Sequence, residues 1–255
     1  MSNLVFDPSR PIEEVKRLQA EEGDANGLIK VWSPSALSTF EKCNYRMFLQ
    51  KVEKIDQGEK HPAAERGIVV HDAAEDYVRG KISEFPKELE KFKAEFEDLR
   101  EEFEQNPDSF VMEAAWGLTK DWKATGFFDD DTWGRVKLDL MRDFNELVLV
   151  VDYKTGRSYG NEVAHSSQLM TYAVAAMHRY PMANTFTAEC WYLDEGDKLE
   201  RQWTKNELID IIQDRMTKRA LRLTRATAFP ANPSSFTCAH CPYSAKKSNY
   251  CRFSA

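Results

Sequence analysis

The sequence predicts a mixed α/β domain. Hydrophobic spacing is helical at both ends of the chain and switches to a period of two between residues 109 and 156. A short apolar run, VLVVDYKTG (148–156), then ends in charged residues, and a further helix and a hairpin follow it.

The elements follow in order. PIEEVKRLQAEEGDANG reads as a short amphipathic helix and a loop. SPSALSTFEKCNYRMFLQ (33–50) is expected to be one helix, opened by Ser33 and Pro34, with Leu37, Phe40, Asn44, Met47 and Phe48 at helical spacing. HPAAERGIVVHDAAEDYVRG (61–80) is expected to be a second. In 85–107, Leu89, Phe92, Phe96, Leu99 and Phe103 recur in steps of three and four, the pattern of one amphipathic helix with an acidic, solvated outer face.

SFVMEAAWGLT (109–119), TWGRVKLDLM (132–141) and NELVLVVDYKTG (145–156) alternate as strands. GFFDDDTWG (126–134) joins the first two. Its aspartates lack the spacing of a calcium loop and read as a polar hairpin tip. SSQLMTYAVAAMHRY (166–180) is a helix, TFTAECWYLDEGDKLERQW (185–203) a hairpin turning at Asp194-Glu-Gly, and 205–229 a long helix capped by Thr204.

Composition bounds the function. The chain has 255 residues, is 42% hydrophobic and 30% charged, and carries a net charge of −7. These values suit one globular domain with a sizeable core. The N-terminus lacks the apolar segment of a secretion signal, and LVLVV is far too short to span a membrane, so a cytoplasmic protein is expected. Five cysteines in such a compartment point to metal, cluster or core use rather than disulfides. The acidic balance does not exclude a nucleic-acid partner, because binding depends on where positive charge clusters.

Side chains two apart on a strand share a face, so Asp152 and Lys154 point together while Tyr153 takes the other side. That is either a structural ion pair or a site in which the carboxylate holds a divalent metal and the lysine acts on water or phosphate. The preceding strand favours the second reading. Paired as a hairpin, it sets Asp139 beside Asp152, and magnesium or manganese relieves the repulsion of two carboxylates. His71 and Glu75 lie at i and i+4 on one helix face, and Gly67 precedes His71 by a turn.

These residues resemble the PD-(D/E)xK nuclease superfamily, in particular its RecB-like, CRISPR-associated exonuclease-like branch. The resemblance rests on GIVVH, VDYKTG and the QLMTY helix (168–172) and spans roughly 33–180. It implies a restriction-endonuclease-like core, a mixed central sheet flanked by helices, with the 85–107 helix inserted in a single nuclease domain. It implies magnesium or manganese held by His71, Asp139, Asp152 and the Tyr153 carbonyl, with Glu75 behind them. Lys154 would stabilise the attacking hydroxide or the phosphate, and Gln168 and Tyr172 would face the site. One departure stands out. The family pattern of glycine, two residues, then aspartate places Lys137 after Gly134, so Asp139 is chosen on strand phase, with Asp143 the weaker alternative.

Near the C-terminus, FTCAHCPYSAKKSNYC supplies Cys238, Cys241 and Cys251, suited to zinc or an iron–sulfur cluster, and a fourth ligand is required. His240 could serve zinc. The resemblance instead implies Cys43, with a structural [4Fe–4S] cluster joining that cysteine to the 230–255 segment. Cys190, in FTAECWYL, reads as core. Arg215, Lys218, Arg219, Arg222 and Arg225 form one basic stripe, either a solvated face or a phosphate-tracking surface. Trp116, Trp122 and Trp133 could stack on bases, though tryptophans are more often buried.

The implied function is a magnesium- or manganese-dependent deoxyribonuclease, an exonuclease on single strands or duplex ends. Its setting would be recombination, repair or CRISPR-related processing in a prokaryotic or phage-infected cell, beside other recombination or CRISPR-adaptation proteins. Two alternatives stay open: a catalytically silent DNA- or partner-binding protein on the same fold, and a zinc- or cluster-based interaction or redox protein.

Overall fold

The computed structural model describes residues 27–56, 58 and 62–254. The expected helix before residue 27 lies outside them. The chain divides into two compact units, one drawn from Met1–Lys60, Trp133–Arg135 and Ile209–Ala255, the other from His61–Thr132 and Val136–Leu208.

Apart from Gly134 and Arg135, the second unit holds a six-stranded mixed sheet flanked by helices, the architecture of a restriction-endonuclease-like core. Its strands are β1 (Phe110–Leu118), β2 (Ala124–Thr125), β3 (Gly134–Asp143), β4 (Leu147–Lys154), β5 (Thr185–Tyr192) and β6 (Asp197–Thr204), in the order β2-β1-β3-β4-β5-β6. β3 and β4 are antiparallel, β4 and β5 parallel, β5 and β6 antiparallel. β2 is an addition to the expected strands. It forms where Asp129 accepts hydrogen bonds from the Thr125 hydroxyl and the Gly126 N–H, folding the aspartate-rich tip back on itself.

The parallel β4–β5 step needs a crossover, and the helix Glu162–Arg179 supplies it. Helix Pro62–Val78 covers the opposite face. Val70, Ala74, Phe96, Leu140, Val151, Tyr153 and Trp191 are buried together there, and Phe92 stacks on Trp191 at 5.1 Å. The expected helix over 85–107 is two elements. Lys87–Phe92 is a 3₁₀ turn after Pro86, and the α-helix proper is Lys93–Gln105. Pro86, at −66°, 128°, is in extended geometry, and the chain tightens into 3₁₀ before widening.

In the first unit the helix expected over 33–50 is broken. Pro34–Lys42, capped by the Ser33 side chain accepting from Ala36 N–H, ends at Cys43, whose backbone is extended (φ −162°, ψ 109°). A second helix, Asn44–Lys51, starts at once. The helix expected over 205–229 opens with a capping box between Thr204 and Glu207, passes through a π-helical turn at Leu208–Ile212, and ends at Thr224. Numbered in chain order, the α-helices are α1 (Pro34–Lys42), α2 (Asn44–Lys51), α3 (Pro62–Val78), α4 (Lys93–Gln105), α5 (Glu162–Arg179), α6 (Lys205–Glu207), α7 (Gln213–Thr224) and α8 (Ser235–Ala239).

Gly134 is fixed by packing. A Cβ there would come within 2.4 Å of the Trp32 ring, which is fully buried, and the Trp32 and Gly134 backbones form a parallel bridge.

Candidate active site

The β3–β4 register runs Leu140↔Val151 through Asp143↔Val148, and one further step sets Asp139 opposite Asp152. Asp139 uses both carboxylate oxygens. Oδ2 accepts the Tyr153 N–H at 2.6 Å, and Oδ1 lies 3.2 Å from His71 Nδ1 on α3. Burial works against a charged His71, but Asp139 outweighs it and holds the ring above the ordinary histidine value.

Asp152 is buried, 3% exposed. Lys154 Nζ sits 2.5 Å from its Oδ2. On the other oxygen, Tyr172 donates from its hydroxyl at 3.2 Å, and the Gln168 amide, also bonded to Tyr172, reaches it at 3.5 Å. Gln168 and Tyr172 are one turn apart on α5, so both project onto the strand end. Burial pushes the Asp152 carboxyl up while Lys154 pulls it back; the same carboxylate holds the Lys154 ammonium above its ordinary value against burial. The Tyr172 hydroxyl is driven well up by burial, so it stays a donor. Tyr153 takes the opposite face, as strand alternation requires, and joins the core.

His71, Asp139, Asp152, Lys154, Gln168 and Tyr172 therefore lie together, from two strands and two helices. Glu75 takes a different partner, accepting from Arg79 Nε at 2.6 Å. Asp143 sits at the far end of β3, opposite Val148, and accepts the Asn145 N–H in the turn. Gly67 lies against Thr155, where an added Cβ would meet the hydroxyl at 3.5 Å. Trp116, Trp122 and Trp133 are all buried, which removes them as stacking platforms.

Sequence reading missed Glu113. It interrupts β1 at φ 51°, a left-handed conformation in mid-strand, and its carboxylate joins His71 and Asp139 with ligand atoms all within 4.8 Å of one another. Such backbone costs a non-glycine residue roughly 1–3 kcal/mol. The signal was available: Glu113 is the only charge in FVMEAAWGL.

The donor set suits a hard divalent cation. Neighbouring ligands of such an ion stand about 3 Å apart, near the His71–Asp139 spacing, and the remaining donors are oxygens.

The first unit holds a separate constellation. Cys43, Cys238, Cys241 and Cys251 line one cavity, with Phe253 and Arg46 beside them. All five cysteines are free of disulfides. The break between α1 and α2 turns Cys43 towards this cavity, and Tyr243 anchors the segment by donating from its hydroxyl to the Ile55 carbonyl at 2.9 Å. Burial pushes the Cys251 thiol up, and the other three cysteines add to it. His240 is exposed, away from the cavity lining. Cys190 is fully buried on β5, opposite Asp152. In the basic stripe, Arg219 forms a two-pronged pair with Glu41 at 2.6 and 2.8 Å, a structural use of that side chain.

Residues 31–246 match the model of the PD-(D/E)XK nuclease superfamily, and the chain belongs to it. Solved structures similar to it include a protein known as SSO0001 (14% identity, 96% of this chain and 98% of that one, TM-score 0.46). A candidate exonuclease from Eubacterium rectale follows (14%, 85% and 88%, 0.44), then a phage-related exonuclease from Haemophilus somnus 129PT (10%, 77% and 94%, 0.29). The family assignment rests on the sequence match, because the TM-scores are low. No curated protein matches the chain.

Proposed function

We propose that the protein is a divalent-metal-dependent deoxyribonuclease of the RecB-like branch, an exonuclease on single strands or duplex ends. The observation that carries this reading is the convergence of His71 and Asp139, 3.2 Å apart, with the Asp152–Lys154 pair at the end of β4. His71, Asp139, Asp152 and the Tyr153 carbonyl would hold magnesium or manganese. That ion, when bound, supplies Lewis acidity to a phosphate and its attacking water.

The remaining work falls to side chains. Tyr172 and Gln168 fix one oxygen of Asp152 and leave its orientation no freedom. Lys154 is kept protonated by Asp152 and presents its charge where a phosphate oxyanion develops. The Tyr153 N–H fixes Asp139, which in turn orients the His71 ring.

The four cavity cysteines would hold a [4Fe–4S] cluster with a structural role. The four thiols line one cavity, with Cys43 drawn in beside the C-terminal trio. His240, the alternative zinc ligand, is not among the cavity residues.

The test is digestion of 5′- and 3′-labelled oligonucleotides with manganese by the wild type, Asp152→Ala and Lys154→Ala. Stepwise shortening by the wild type and loss in both variants is expected. Undiminished cutting by both variants would refute the site.

A further inference from the structure

The single charge in β1 has no role in the chemistry above. Glu113 sits in a strand whose other residues are apolar, held at φ 51°, and is neither glycine nor asparagine, the residues that accept such backbone readily. Its carboxylate is exposed and makes no hydrogen bond or ion pair with the described residues. It stands beside an occupied pair: Asp139 already serves His71 and the Tyr153 N–H. A second carboxylate there adds repulsion and satisfies no donor. The three ligand atoms, from α3, β1 and β3, nonetheless lie within 4.8 Å of one another. A cation among them removes the repulsion and gives Glu113 a partner.

We propose that Glu113 is a further ligand of a divalent cation shared with His71 and Asp139, delivered to it by the left-handed break in β1. The proposal rests on the metal-dependent reading above and extends its ligand set to a third carboxylate from a third strand.

Manganese binding without DNA tests it, by calorimetry and by the electron paramagnetic resonance of free Mn²⁺, on the full chain. Glu113→Gln keeps size and backbone and removes the charge; Glu113→Gly also removes the unfavourable left-handed glutamate. Both are expected to weaken Mn²⁺ binding about tenfold or more. In EDTA, Glu113→Gln should unfold at the wild-type midpoint and Glu113→Gly at or above it, which shows that the lost affinity is not lost folding. Wild-type affinity retained within about twofold by Glu113→Gln overturns this assignment alone. No Mn²⁺ binding by the wild type itself overturns both this assignment and the metal-dependent reading.

Discussion

The backbone N–H of Tyr153 donates to Oδ2 of Asp139 across the β3–β4 pair at 2.6 Å, one step beyond the paired register. A mid-strand carboxylate thereby does two jobs. It closes a backbone group that would otherwise be left half-buried, and it aims its second oxygen at His71. Structure and chemistry at this residue can be separated by substitution. Asp139→Asn keeps an acceptor for the Tyr153 N–H, while Asp139→Ala leaves that donor unpaired at a cost of about 1–3 kcal/mol. Urea unfolding in EDTA should find the alanine variant less stable by that amount and the asparagine variant close to wild type. Nuclease activity should fall about a hundredfold or more in both, since neither supplies the carboxylate charge.

Gly134 fits a packing explanation. A methyl group there would meet the Trp32 ring at 2.4 Å, and the ring is walled in, with Trp133 edge-on at 5.8 Å. Gly134→Ala should cost about 1–3 kcal/mol through overpacking. Trp32→Leu in the same chain should recover part of it by making room. A double-mutant cycle by thermal unfolding measures the coupling; strictly additive effects would mean that the two residues do not collide.

The grouping of the candidate site's side chains was legible where strand phase decided it. Asp139 and Asp152 come together because an antiparallel register carries a period of two across the hairpin, and Gln168 and Tyr172 because a helix repeats near every fourth residue. What failed were features that period does not encode. The spacing of Leu37, Phe40, Asn44, Met47 and Phe48 runs unbroken through Cys43, yet the helix stops there and restarts, and that break is what turns the thiol towards its cavity. Glu113 escaped for the same reason: alternation counts residues and says nothing about a left-handed one. Arg219 could not be told from a phosphate contact without Glu41, which lies far away in sequence.

The cavity cysteines make a prediction with an internal control. Cys43→Ser, Cys238→Ser, Cys241→Ser and Cys251→Ser should each lose the absorbance near roughly 400 nm and the iron of anaerobically purified protein, about four atoms per chain in the wild type. Cys190→Ser should keep both, because Cys190 is buried on β5 and takes no part in lining the cavity. Stoichiometric zinc without iron would replace the cluster by a single ion.

His178 gives the fold a pH dependence separate from the site. Its ring lies 6.1 Å from that of Trp122, stacked, and burial, with Lys205 adding, lowers its pKa from 6.5 to about 4. The folded state thus keeps the ring neutral where the unfolded chain already takes up a proton. Between about pH 6.5 and about pH 4 the unfolded state binds more protons, so stability falls as pH falls through that window and is fully present above it. At 1.36 kcal/mol per pKa unit the loss amounts to roughly 3 kcal/mol at most. His178→Gln cannot titrate. Urea unfolding of both proteins at several pH values should show the wild type losing its advantage over the variant as the solution is acidified. Parallel acid limbs for the two would assign the pH dependence to other groups.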